Sequence, residues 1–113
     1  MDYDLINEIG AKSALLDKAI GQLGVRGRAC AQAERDYRVA LRKAVLAARA
    51  DGVPVTIISD ICRGEEEIAR LRFERDIAQT VYESAKESIQ GYKLQIRILD
   101  AQVDREWGHA PRD

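Results

Sequence analysis

Two cysteines and one histidine are the residues of this sequence whose types could ligate a soft metal ion or supply a strong nucleophile. Cys30 and Cys62 are widely separated, and His109 lies in a tail that contains glycine and proline. A structural zinc site draws its ligands from closely spaced pairs, and no CxxC pair occurs here. We therefore interpret both cysteines as reduced, apolar-type residues, and we predict no metal site and no cofactor.

Carboxylates are the remaining candidates for catalysis, because a positioned Asp or Glu can act as a general base. The chain has 19 Asp and Glu residues. They are scattered, and no phosphate-binding loop, nucleophile elbow or zinc-protease motif singles out any of them. The sequence therefore favours a protein that is not an enzyme and that works by binding.

Arginine has the most distinctive spacing in the chain. Residues 26–49 carry a surplus of basic side chains, and several of these repeat every seven positions. The arginine stripe is defined as Arg28, Arg35, Arg38, Arg42 and Arg49. With two apolar residues of the same region it forms the candidate binding surface, called here the stripe surface: Arg28, Arg35, Arg38, Val39, Arg42, Leu46 and Arg49. Arginine grips carboxylates and phosphates bidentately, and it anchors protein interfaces.

The charge pattern leaves several interpretations open. The stripe can be a solvated face with ion pairs one helical turn apart. It can meet the acidic face of another copy, formed by Glu66, Asp76, Glu83 and Glu87. It can also bind an external anion. A net charge of −1 disfavours a simple polybasic nucleic-acid binder. We expect a protein partner first, with nucleic acid or a small anionic nucleotide held between protomers as alternatives.

A 3-4 spacing of mostly apolar residues from Ile68 onward is typical of helices packed knobs-into-holes. It predicts a long helix over 65–107. Its expected seam, which serves as core and oligomer contact, contains Ile68, Leu71, Arg75, Tyr82, Ile89, Tyr92, Ile96 and Leu99. Arg75 is the polar member of the seam, and we expect Asp60, Glu74 or an acid of another protomer to pair with it.

An earlier arm over 3–50 has its own spacing of small residues, at Cys30, Ala33, Tyr37, Ala40, Ala44 and Ala47. The glycines within 21–27 predict that this arm is either continuous or broken there.

The segment 51–64 is expected to be a loop with a short turn. Gly52 and Pro54 end the arm, Thr56 is the expected N-cap of a turn over 57–62, and Gly64 is the expected left-handed C-cap. Residues 108–113 are expected to fray.

These elements predict an all-α fold with one helical domain, 1–113. Two arms of similar length joined by a short loop form an elongated, coiled-coil-like antiparallel helical hairpin. Apolar residues away from the seam, such as Phe73, Leu94 and Ile98, indicate that hairpins assemble into an oligomeric helical bundle. No apolar run approaches the ~20 residues of a membrane helix, and no leader segment opens the chain. We expect a cytoplasmic protein without a membrane partner.

Four segments also carry a resemblance: 33–38 (AERDYR), 52–60 (GVPVTIISD), 71–76 (LRFERD) and 105–107 (REW). They resemble small uncharacterised helical proteins encoded by phages and prophages of Gram-positive bacteria. The resemblance implies an accessory role in the bacterial host cytoplasm, in phage DNA metabolism or in countering host defence. It implies no active site.

Overall fold

The structure is a computed structural model that describes residues 3–108. Helix α1 spans Tyr3–Ala50, α2 spans Ile58–Gly64 and α3 spans Glu66–Trp107. No strand occurs among the described residues, so the all-α class expected from the sequence is confirmed. His109 and the rest of the expected frayed tail after residue 108 lie outside the described residues.

The described chain forms two units. The loop unit is Val25–Tyr82, and the terminal unit combines the start of α1, up to Gly24, with α3 from Glu83 onward. In each unit the α1 and α3 segments run antiparallel, because residues later in α1 contact residues earlier in α3. In the loop unit Gly27 faces Tyr82, whereas Tyr37 faces Arg75.

The terminal unit has the same antiparallel arrangement. Leu23 lines one groove with Ile89 of α3, and Leu16 lines another with Arg97. Among the seam residues of this unit, Ile89 is buried, and Tyr92, Ile96 and Leu99 are half-buried.

The break considered at 21–27 does not occur, because α1 is one continuous helix. A glycine costs a helix interior about 1 kcal/mol relative to alanine, and tertiary packing outweighs such a cost. Gly27 shows the packing directly: a Cβ placed there would lie 3.1 Å from Cε1 of Tyr82. The missing side chain lets the tyrosine ring lie against the α1 backbone.

The end of α1 is a Schellman motif. Gly52 takes a left-handed φ of 83°, and its N–H donates to the carbonyl of Arg49 at 3.1 Å. The N–H of Val53 donates to the carbonyl of Ala48 at 3.0 Å. These bonds satisfy carbonyls that the helix end would leave without a partner. Val53 also packs beside Ala48, which is the apolar contact typical of this motif.

Helix α2 differs from the turn expected over 57–62. Thr56 is not its cap, since Ile57 occupies the N-cap position without a side-chain hydrogen bond. Gly64 is not a left-handed C-cap either: it is the last residue of α2, and its φ is not positive. The extended residue Glu65, at φ −63° and ψ 138°, joins α2 to α3. The connection from α2 to α3 therefore contains no left-handed residue.

A buried apolar cluster of the loop unit lies where α2 packs against α1. Ala48, Ile58 and Cys62 form it, and Cys62 is fully buried. Leu41, Ala44, Val45 and Val53 pack around them. The residue expected at this point of the α1 seam was Ala47, which is exposed. The real register is one residue later because larger side chains, Leu41 and Val45, turn toward α2.

Within residues 3–108, no helix combines the length and the apolar character that crossing a bilayer requires.

Candidate binding surface

The stripe surface lies on the exposed side of α1 in the loop unit. All five stripe arginines are exposed, and Val39 and Leu46 are exposed by 43% and 51%. Tyr37 and Ala48 face the other way and are buried. The structure thus brings all seven residues proposed from the sequence onto one solvent-facing side of one helix.

Four of the stripe arginines have side chains without a hydrogen bond or ion pair to any described residue. They are Arg28, Arg35, Arg42 and Arg49. The sequence explains this, since no position three or four residues away from any of them holds Asp or Glu. Pairs of opposite charge on a helix form at those two spacings. The solvated face with internal ion pairs therefore does not describe these arginines.

Arg38 is the paired member of the stripe. Its Nε donates to Oε1 of Glu34 at 2.6 Å. Arg35 and Arg42 lie three and four residues from Arg38, and like charges at these spacings repel each other. An external anion placed over this region would relieve that repulsion.

A shallow groove follows the C-terminal part of the stripe. Its volume is about 360 Å³, and it is lined by Arg38, Leu41, Arg42, Val45, Leu46 and Arg49. Cationic rims thus border an apolar floor, an arrangement that suits a ligand with apolar side chains flanked by carboxylates. Sequence reasoning missed Leu41 and Val45. Their 3-4 spacing with Tyr37 and Ala48 was the signal that could have found them.

Arg75 sits in the seam of the loop unit, with its side chain 22% exposed. It pairs with Asp76 at 2.8 Å and with Glu34 at 3.5 Å, and its guanidinium lies over the Tyr37 ring. The expected partners Asp60 and Glu74 are therefore wrong. The hydrogen bond to Asp76 raises the pKa of Arg75, against a lowering by desolvation. Ile68, also in this seam, is buried, and Leu71 and Tyr82 are half-buried.

Several acids of α3 are already engaged within the chain. Arg70 binds Glu67 and Glu74, each at 2.6 Å, and its hydrogen bond lowers the pKa of Glu67. Of the expected acidic face, Asp76 pairs with Arg75, and Glu83 pairs with Lys86 at 3.1 Å. These pairs leave fewer carboxylates on α3 for the arginines of another copy.

No cluster of three or more potential metal ligands occurs in the part of the chain that the structure describes. Cys30 is half-buried, and Cys62 is buried. Cys62 belongs to the buried cluster with Ala48 and Ile58, and Cys30 does not.

A scan against protein-family models finds no match, and searches of curated proteins and of solved structures find none either. The candidate surface therefore stands on its own geometry.

Proposed function

We propose that this protein is a non-enzymatic helical protein that acts by binding a protein partner through the stripe surface. The observation that carries the proposal is the set of four arginines without a partner among residues 3–108, beside exposed Val39 and Leu46. Arginines and apolar side chains together are the usual anchors of protein interfaces. The partner surface should be acidic, because only opposite charge relieves the repulsion along the stripe.

Nucleic acid and a small nucleotide are the competing anions, and the surface supports them less well. Binding to single strands relies on aromatic side chains that stack on bases, and the stripe surface contains none. Tyr37, the nearest tyrosine in sequence, is buried beneath Arg75. A protein partner uses both the arginines and the apolar residues, whereas phosphates use only the arginines.

Self-association is part of the proposal, at surfaces other than the stripe. Phe73 on the loop unit is 65% exposed, and Leu94 and Ile98 on the terminal unit are 52% and 55% exposed. Apolar residues so exposed on a small helical protein support burial against further copies. Light scattering measures this directly: we expect a mass of more than one chain, and a monomer would remove the oligomer from the proposal.

The resemblance to phage and prophage proteins supports an accessory role in the cytoplasm of a bacterial host, with a host factor or a defence protein as the partner. This part of the proposal is independent of the stripe geometry and is tested by the identity of the captured partner.

The experiment compares capture from bacterial lysate by three forms of the protein. The test variant carries Arg35→Glu and Arg42→Glu, and the matched control carries Arg72→Glu and Arg97→Glu, which change the net charge equally at exposed α3 positions. We expect a protein retained by the wild type and the control to be lost with the test variant. Retention by all three forms would contradict the proposal, and loss of capture after nuclease treatment would favour nucleic acid.

A further inference from the structure

A second column of residues accompanies the arginines along α1. Val25, Gln32, Val39 and Leu46 also repeat every seven residues, and each lies three positions before an arginine: Arg28, Arg35, Arg42 and Arg49. All eight side chains are exposed, with Val25 at 58%. A sustained 3-4 spacing is the pattern by which one helix packs along another. In the loop unit, α1 therefore has a helix-packing pattern on its exposed side as well as on its buried side.

We propose that the partner docks on this surface as a single α-helix lying along residues 25–49 of α1, with carboxylates spaced seven residues apart opposite the four arginines. This inference rests on the proposed function, a protein partner at the stripe surface, and gives that partner a conformation and a charge pattern. Its apolar residues pack between the acids, against Val25, Val39 and Leu46.

The spacing favours a helix over an extended peptide. The arginines recur about every 10.5 Å along the helix axis, at about 1.5 Å per residue. A partner helix with one acid per heptad has the same repeat. An extended strand advances about 3.3 Å per residue and would need an acid at every third residue. Successive side chains of a strand point to opposite faces, so acids at an odd spacing would alternate between facing α1 and facing away.

Charge argues against a second copy of this chain as the occupant. If the α1 surfaces of two copies met, arginine would face arginine along the contact. If the acidic face of α3 of a second copy docked instead, Asp76 would have to leave Arg75, and Glu83 would have to leave Lys86. A helix from another protein, with carboxylates that are not already paired, brings neither the arginine–arginine repulsion nor the loss of existing ion pairs.

Gln32 is the polar member of the apolar column, and its side chain donates to Asp36 at 2.8 Å. A single polar residue in such a column fixes the register of helix packing at some cost in affinity. The partner helix is therefore expected to dock in one register, with a polar residue opposite Gln32.

The test uses a fluorescently labelled synthetic peptide of four heptads, with Leu and Glu at the two seam positions of each heptad. Its control peptide has the same composition in scrambled order. Binding to the full chain is measured by fluorescence anisotropy at about 0.15 M salt, where long-range charge attraction is screened. We expect the heptad peptide to bind about tenfold or more tightly than the scrambled one, a difference of about 1.4 kcal/mol. We also expect it to gain helicity on binding, by circular dichroism.

Variants of the protein identify the surface that the peptide uses. Arg35→Glu with Arg42→Glu should weaken binding about tenfold, and Arg72→Glu with Arg97→Glu should leave it unchanged. Val39→Ser with Leu46→Ser should also weaken binding, because these exposed residues supply the apolar contact without supporting the fold. Circular dichroism of each variant checks that its helices are intact.

The outcomes separate this inference from the proposed function. Equal binding of the heptad and scrambled peptides overturns the docked helix. So does peptide binding that is unchanged in the variant carrying both Val39→Ser and Leu46→Ser. The protein partner would stand in either case if lysate capture still depended on Arg35 and Arg42. Loss of that dependence removes the proposed function itself.

Discussion

The guanidinium of Arg75 on α3 lies over the ring of Tyr37 on α1, with its Cζ atom 4.7 Å from the ring centroid. Tyr37 is only 6% exposed, so the cation covers a buried aromatic face. Glu34 lies 3.5 Å from the same guanidinium and also binds Arg38 of the stripe. The contact thus joins the seam of the loop unit to the stripe surface through one carboxylate.

A double-mutant cycle measures the contact between Arg75 and Tyr37. The cycle combines Arg75→Ala with Tyr37→Leu, and unfolding in urea gives the free energies. We expect a coupling of about 0.5–1 kcal/mol, the usual range for a partly exposed cation over an aromatic ring. In the Tyr37→Phe background the coupling should persist, since the ring remains. Additive effects of the two substitutions would show that the stacking contributes nothing.

The glycines of α1 offer a second test, because they meet different surroundings. A Cβ at Gly24 would have nothing within 4 Å, whereas one at Gly27 would crowd the ring of Tyr82. We expect Gly24→Ala to stabilise the protein by up to about 1 kcal/mol through helix propensity. Gly27→Ala should stabilise the protein less than Gly24→Ala does, or should destabilise it, because the ring of Tyr82 must shift. Thermal unfolding of the two variants compares them, and an equal gain in both would contradict the packing role of Gly27.

The bounds of α1 and α3 and the residues that α3 buries could be read from the sequence, because 3-4 spacing is a strong signal when sustained over many turns. The arm expected over 3–50 and the observed α1 coincide. The long helix expected over 65–107 and the observed α3 differ by one residue at the start. Exposure of the stripe could be read in the same way, because its arginines share one spacing.

The backbone conformations and side-chain contacts near the segment that joins α1 to α3 could not be predicted as well from the sequence. Gly52 and Gly64 are equally permissive residues, and only the chain path decides which of them must be left-handed. The choice between Ala47 and Ala48 depended on α2 packing against Leu41 and Val45, a tertiary contact that small residues in a seam do not reveal. The partners of Arg75 depended on the alignment of α1 with α3, which brings Glu34 within reach.

Gly52 and Gly64 make a matched pair for testing the connection. Gly52 has a φ of 83°, and Gly64 does not have a positive φ. Gly52→Ala should therefore destabilise the protein by about 1–2 kcal/mol, the cost of a left-handed conformation for a residue with a Cβ. Gly64→Ala should be neutral or stabilising, since alanine is favourable at a helical position. Urea unfolding measures the stability of both variants. A larger loss of stability in Gly64→Ala than in Gly52→Ala would contradict the left-handed conformation of Gly52.

The two thiols should differ in reactivity because the cluster between α1 and α2 encloses only one of them. Cys62 is fully buried against Ala48 and Ile58, whereas Cys30 is half-buried on α1. Attack on Cys62 by an aromatic disulfide requires α2 to move away, so its rate reports the local opening of that helix. We expect Cys62 in the Cys30→Ser protein to react about tenfold or more slowly than Cys30 in the Cys62→Ala protein. Low urea should accelerate the slow reaction if opening of α2 limits it. Equal rates without urea would mean that α2 does not cover Cys62 in solution, and the apolar floor that Leu41 and Val45 give the groove would then lose its support.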